Sequence, residues 1–265
     1  MMGETVLNSL IPGSINIRQV EPHIYSVYSK GEHTNIYDKT SIFYDLVVSN
    51  RFYNQVMWGY RTSEFLSFCH DRLASSTEGC VLDIGCGSLV FTARAYAGYP
   101  ERPVVFSDES IKMLRAAKSR LKKLNGSIPS NMVFLHADAQ QLPFNPRSFH
   151  TIISMNMLHV LQDIKRVILG MENVLDDGGT MSFTSLILNN RFGDRYLKLL
   201  GRMGQVVPRT PTQLLSTFTE LGISVEYHVK GNMMFIYCVS HGIVVLPDNS
   251  SVVNVITDHE DTYVC

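Results

Sequence analysis

Residues Val81-Leu82-Asp83-Ile84-Gly85-Cys86-Gly87-Ser88-Leu89 constrain the fold more than any other stretch of the chain. A short apolar run ends in an acidic residue and two glycines, and a helical pattern follows. A buried parallel strand turns into a helix in this way beside a bound ligand. A side chain at the glycines would block the backbone angles or the ligand's approach. Taken alone, the two glycines fit an ordinary tight strand-to-helix loop equally well.

The segments that follow narrow the choice. Val104-Val105-Phe106-Ser107-Asp108 reads as a second buried strand, ending on a carboxylate about twenty residues beyond the glycines. A carboxylate at the C-terminal edge of a parallel sheet can accept two hydrogen bonds from a ribose diol. Met132–Ala139, Phe149–Asn156 and, after the Asp177-Gly178-Gly179 turn, Met181–Leu186 read as further strands. Ile111, Leu114, Ala117, Leu121 and Leu124 recur at helical spacing and stop at Asn125-Gly126; Ile164, Val167, Ile168, Met171 and Leu175 repeat the pattern. Strands alternating with helices imply crossover units and a mostly parallel sheet. Ligands of such sheets sit over the carboxyl ends of the strands, where Gly85, Asp108, Asp138 and Asn156 fall.

Residues 81–186 resemble the class I S-adenosylmethionine-dependent methyltransferases, in the branch that includes quinone-biosynthesis and small-molecule enzymes. The likeness rests on five segments in the family's order: Val81–Gly87, Val104–Leu114, His136–Phe144, Ser154–Leu161 and Val174–Thr184. It implies a Rossmann-like α/β fold with a seven-stranded, mostly parallel sheet, helices on both faces, an antiparallel last strand and an N-terminal helical cap. It implies S-adenosylmethionine as cofactor and S-adenosylhomocysteine as product. By the same resemblance Asp83 and Gly85 lie near the methionine part, with Cys86 and Gly87 in the turn. Asp108, with Glu109 beside it, holds the ribose hydroxyls. Asp138 and Ala139 flank the adenine, Asp138 accepting from its amine, and Met155 and Asn156 close the methionine end. Two positions depart from the pattern. Leu89 replaces the third glycine, which predicts a wider turn, and His150 stands where an aspartate usually opens the fourth strand.

Simpler roles compete with these. Asp138 can cap a loop, Asp108 can cap the helix that begins near Ile111, and Cys86 suits a small packing residue better than a nucleophile. The 265 residues suit one large domain with additions, and 45% hydrophobic content suffices for its core. A net charge of −1 argues against a nucleic-acid surface. Cys69, Cys80, Cys86, Cys238 and Cys265 show no metal-site spacing, and their odd number predicts free thiols in a reducing compartment. No basic leader precedes a long apolar run, and no run approaches the roughly twenty residues of a membrane span. A cytoplasmic enzyme without metal, membrane or nucleic-acid partner is expected.

The organisation expected is a helical, aromatic cap over residues 1–76, a cofactor domain over 77–241 with a cap insertion at 187–209, and a tail over 242–265. Aromatic residues crowd positions 25–60; most pack against the sheet, and Tyr44, Trp58 and Tyr60 are the candidates to face a planar or apolar acceptor. Arg191, Arg195, Lys198 and Arg202 form a basic stripe. Arg191 and Arg195 are candidates to receive an anionic group of the substrate; a solvated helix face is the plainer reading. Thr210-Pro211-Thr212-Gln213 starts a helix with a capping box. Ile223–Val229 and Met233–Ser240 read as the last two strands. The tail pattern around Pro247–Ser250 suits a hairpin at a sheet edge, which also suits a homodimer.

The resulting expectation is methyl transfer to a small acceptor at O, N or C. His159, just beyond the fourth strand, is the candidate proton acceptor; a histidine that only bonds the local backbone is the alternative. Two other functions stay open: a nucleotide-cofactor oxidoreductase, against which the missing third glycine counts, and a non-catalytic relative that binds the cofactor or a partner.

Overall fold

Alternating apolar runs and amphipathic helices fold into one mixed sheet covered on both faces. The computed structural model describes residues 2–29, 53–97 and 102–239. Helix α1 (Met2–Leu10) opens it, followed by strands β1 (Arg18–Glu21) and β2 (Ile24–Ser26). A π-helical turn (Asn54–Trp58) leads into α2 (Thr62–Ala74). Then come β3 (Val81–Ile84), α3 (Ala93–Ala97), β4 (Val104–Asp108), α4 (Ile111–Asn125), β5 (Met132–His136) and β6 (Phe149–Met155). A 3-10 turn (Leu158–Val160), α5 (Ile164–Val174) and β7 (Leu175–Leu186) follow. Helices α6 (Gly193–Arg202) and α7 (Pro211–Glu220) precede β8 (Glu226–Lys230) and β9 (Met233–Val239). Tyr44 and the hairpin expected in the 242–265 tail lie outside the described residues.

The strand order is β1-β2-β5-β4-β3-β6-β7-β9-β8. Strands β5, β4, β3, β6 and β7 run parallel, and β9 pairs antiparallel with both β7 and β8. Those seven strands are the sheet expected from the sequence. The other two are a hairpin from the N-terminal region, whose β2 lies parallel to β5. The region read as a helical cap therefore also extends the sheet. The hairpin escapes sequence reading because its strands are only four and three residues long and its turn uses His23 at φ +67 in place of a glycine. Its short strands cover what would be the open edge of β5.

Parity along the strands divides the core. Leu82, Val105, Val133, Ile152 and Phe183 face α1, α5 and α7, whose Leu7, Val167, Met171, Leu214 and Phe218 are buried against them. Val81, Val104, Phe106, Phe134 and Ile153 face Cys69 and Leu73 of α2, Tyr96 of α3, and Leu114 and Leu121 of α4. Burial on both faces explains why these strands read as continuous apolar runs. Arg102 ties the layers together: its guanidinium donates to the carbonyls of Leu73, Ser76 and Glu78 and to Thr151 Oγ1.

The order reverses at β3, whose neighbours β4 and β6 belong to opposite halves of the sheet. A crevice forms over the carboxyl end of such a strand. The turn there holds Gly85 at φ +64, Gly87 at φ +55 and Leu89 at φ +55. Leu89 thus shares the left-handed backbone of the two glycines before it. A left-handed backbone costs an L-residue roughly 1–2 kcal/mol, and burial offsets this, since Leu89 is 2% exposed. Both Leu89→Ala and Leu89→Gly should lose stability. The glycine variant should be the more stable of the two by about 1 kcal/mol in urea unfolding, because alanine keeps the backbone strain. The usual order, alanine above glycine, would show that the turn is not held left-handed.

Candidate functional site

The loops at the carboxyl ends of β3, β4, β5 and β6 converge on this turn. The Gly87 amide donates to Asp108 Oδ2 at 2.8 Å, and the Ser110 amide donates to Asp108 Oδ1 at 2.8 Å. The cap of α4 is Ser110, whose hydroxyl accepts from the Met113 amide, so Asp108 does not cap the helix. A Cβ built on Gly87 meets nothing within 4 Å, so that side of the turn is open. Behind it Arg120 of α4 donates to the Ser88 carbonyl. One built on Gly85 would meet Met157 Sδ at 2.6 Å, which makes Met157 part of the wall.

Asp83 lies below the turn, 1% exposed, and accepts from Tyr96 Oη at 2.7 Å through Oδ2. Its Oδ1 is buried with no partner among the described residues. Burial pushes its carboxyl up to about 7, against the lowering effect of the Tyr96 bond and with a smaller push from Asp108. Burial also raises the Cys86 thiol well above its ordinary value, aided by Asp108 and Asp83, so Cys86 stays neutral and packs inside the turn.

On the β5 side, Asp138 Oδ1 accepts from the Gln140 amide, so the loop-capping role is present. His136 Nε2 donates to the Glu109 carbonyl at 3.0 Å, and Ser26 Oγ lies 3.0 Å from His136 Nδ1. The Tyr28 amide donates in turn to Ser26 Oγ. This chain of bonds fastens the N-terminal hairpin to the rim at Glu109. The Tyr28 ring packs edge-on against His136, and its hydroxyl is pushed up to about 12 by burial and by the charges of Asp138 and Glu109. Ala139 is half-buried against the α1–α5 side of the core, and Met155 against the other. Asn156, at φ +60, donates its amide to Thr184 Oγ1.

His159 is placed differently from a proton acceptor. The ring is 1% exposed, and its Nδ1 accepts from the Leu186 amide at 3.3 Å. Burial, with a contribution from Arg209, lowers its pKa to about 4. The neutral ring therefore carries its hydrogen on Nε2, which is buried and has no partner among the described residues. The lone pair that would take a proton is already used, so the ring offers a donor. Arg209, which the sequence did not single out, donates to the carbonyls of Leu158, Leu161 and Gln162 and fixes this loop.

The expected acceptor residues divide. Trp58 and Tyr60 are buried: Trp58 packs against Tyr196 at 5.7 Å, and Tyr60 donates to Asn54 Oδ1. They join Phe65, Leu197 and Phe235 in a third apolar cluster. Arg191 and Arg195 are exposed. Arg191 lines a surface depression with Gln55, Met57, Gly59 and Phe192. Tyr28, Tyr96, Met157 and Arg209 went unread because each acts through tertiary contacts that leave no local pattern. Among the described residues no group of three His, Cys, Asp or Glu side chains is placed to hold a metal, and no helix is long and apolar enough to cross a membrane.

Three features suit a ligand with nucleoside and amino-acid ends: the open side of Gly87, the braced carboxylate of Asp108 and the buried Oδ1 of Asp83, which has no partner among the described residues. The known proteins agree. Residues 81–179 match the methyltransferase domain family. The ubiquinone/menaquinone biosynthesis C-methyltransferase of Saccharophagus degradans is 26% identical over 74% of this chain and 81% of its own. A Methanococcus maripaludis structure described as a putative S-adenosylmethionine-dependent methyltransferase superposes with a TM-score of 0.57 at 15% identity, over 82% of this chain and all of that one. A geranyl diphosphate methyltransferase in complex with sinefungin gives 0.54 at 14% identity, over 67% of this chain and 77% of that one.

Asp83 and His159 make opposite demands on pH. The folded value of Asp83, about 7, lies above its ordinary 3.8, so its stabilising effect is full below about 4 and is lost as pH rises toward 7. That of His159, about 4, lies below 6.5, so its effect is full above 6.5 and is lost as pH falls toward 4. The slopes offset in the native chain. Asp83→Asn should leave stability rising between pH 4.5 and 6.5, and His159→Gln should leave it falling, each by on the order of 1 kcal/mol per pH unit. Urea unfolding across that range measures both. Two variants with slopes of the same sign would contradict the assignment.

Proposed function

We propose that this chain is a class I S-adenosylmethionine-dependent methyltransferase and methylates a small, partly apolar acceptor held beside the Gly85–Leu89 turn. The observation that carries the reading is the Gly87 amide bonded to Asp108 beside an open glycine face. S-adenosylmethionine supplies a methyl group already activated on a sulfonium centre. The chain's own residues bind and align. Asp108, braced by the Gly87 and Ser110 amides, accepts from the ribose, and Glu109 stands at the same rim, its carbonyl held by His136. Asp138 and Ala139 flank the adenine, with Tyr28 against them. Asp83, Gly85 and Cys86 underlie the methionine end, which Met155 and Asn156 close.

The acceptor is a small molecule with an apolar body. The cluster of Trp58, Tyr60, Phe65 and Phe235 stiffens the wall beyond β7. The Saccharophagus relative is named for C-methylation in quinone biosynthesis, which agrees with such a body. Arg191 at the neighbouring depression suits an anionic group on it. His159 contributes position: with its Nδ1 filled, it aligns the loop after β6 and presents Nε2–H. Holding two reactants in line is the main source of rate for a pre-activated donor.

Labelled S-adenosylmethionine offered with small phenols, quinols and acyl carboxylates should put label into an organic-soluble product; label found only in protein or nucleic acid would contradict the reading. Asp108→Ala should stay folded and bind S-adenosylhomocysteine about ten- to a hundredfold more weakly by calorimetry, the cost of a bond to a charged group. Asp108→Asn, which keeps one acceptor oxygen, should lose less. Unchanged affinity in a folded alanine variant would remove Asp108 from the site.

A further inference from the structure

We propose that the outer face of α6 docks on an anionic lipid surface. The helix has three faces. Gly193, Asp194 and Leu197 turn inward. Asp194, the helix's only acidic residue, accepts from the amides of Asn189 and Asn190 and from the Asn232 side chain, so its charge is spent inside the protein. The outer half carries two rows. Phe192, Tyr196, Leu199 and Met203 recur at steps of four, three and four; Phe192, Leu199 and Met203 are 70%, 49% and 60% exposed, and Tyr196 between them is half-buried against Trp58. Arg191, Arg195, Lys198 and Arg202 recur at the same steps beside them, all exposed. Among the described residues none of the four meets a carboxylate in an ion pair. Each row spans about 16 Å. Val56, 61% exposed, lines one depression with Phe192 and enlarges the apolar surface.

A soluble surface normally scatters its apolar side chains singly, and a continuous row of them marks a contact. The two rows together select the partner. Nucleic acid would use the cations and leave Phe192, Leu199 and Met203 in water. A second copy paired about a two-fold axis would bring eight cations together. A bilayer interface uses both rows, with apolar tips in the acyl boundary and basic heads at the phosphates. The chain as a whole carries a net charge of −1, so the basic row is a local feature. Strand β9 ends at the opposite end of the sheet, where Val239 pairs with Thr180, while α6 follows Leu186, which pairs with Met233. The patch therefore lies toward the sheet edge on which the cofactor crevice opens.

The 265-residue chain should cosediment with phosphatidylcholine vesicles containing about one third phosphatidylglycerol and stay in solution with phosphatidylcholine alone. Raising the salt should release it. Phe192→Ser with Met203→Ser, and separately Lys198→Gln with Arg202→Gln, should each weaken vesicle binding at least about tenfold. Melting temperature and S-adenosylhomocysteine affinity should be unchanged, which keeps this result separate from the methyl-transfer reading. A chain that ignores anionic vesicles overturns the proposal, whether the tail or a second copy covers the face. So does binding that both variants retain.

Discussion

The bond between the Gly87 amide and the Asp108 carboxylate joins the ends of β3 and β4 and gives the crevice its shape. It works because three alternate residues, 85, 87 and 89, hold left-handed backbone angles that aim the amide at the neighbouring strand. Two of the three are glycines. The third is a leucine whose burial outweighs its strain. Much of the surrounding structure maintains this turn: Met157 closes over Gly85, Arg120 holds Ser88 from behind, and Ser110 keeps the Asp108 side chain in place.

Burial then decides what the ionisable groups near the turn can do. Asp83 and His159 are both enclosed, and both are driven toward their neutral forms. For Asp83 this leaves a buried oxygen without a partner among the described residues, beneath the turn. For His159 it removes the base strength that an exposed imidazole would have near neutral pH, and the Leu186 amide takes the remaining lone pair. With a pre-activated donor, such a site has more need of alignment than of proton transfer. Arg209, which grips three carbonyls of the loop that carries His159, serves that need.

The strands from β3 to β9 were legible because parallel strands buried on both faces read as apolar runs and their helices as clear periods. Helix α7 was legible from its capping box. The methyltransferase likeness was legible from the order of five segments, and the domain match over residues 81–179 agrees with it. What escaped did so for physical reasons. The β1–β2 hairpin has strands too short for a pattern and a histidine where a glycine would have marked the turn. Leu89 reads as a departure, and its left-handed backbone leaves no mark in the sequence. His159 reads as a base from its place in the chain, and only three-dimensional burial reveals otherwise. The stripe Arg191, Arg195, Lys198 and Arg202 was visible, but the exposed row beside it was not, since periodicity does not tell which apolar face a helix buries.

Hydrogen–deuterium exchange of the full chain with and without S-adenosylhomocysteine tests the account most directly. Protection is expected in four separate segments at once: the β3 turn around 83–89, the β4 end around 108–110, the β5 end around 136–139 and the β6 end around 155–157. Protection confined to the Arg191 depression, or absent from the β3 and β4 ends, would contradict it.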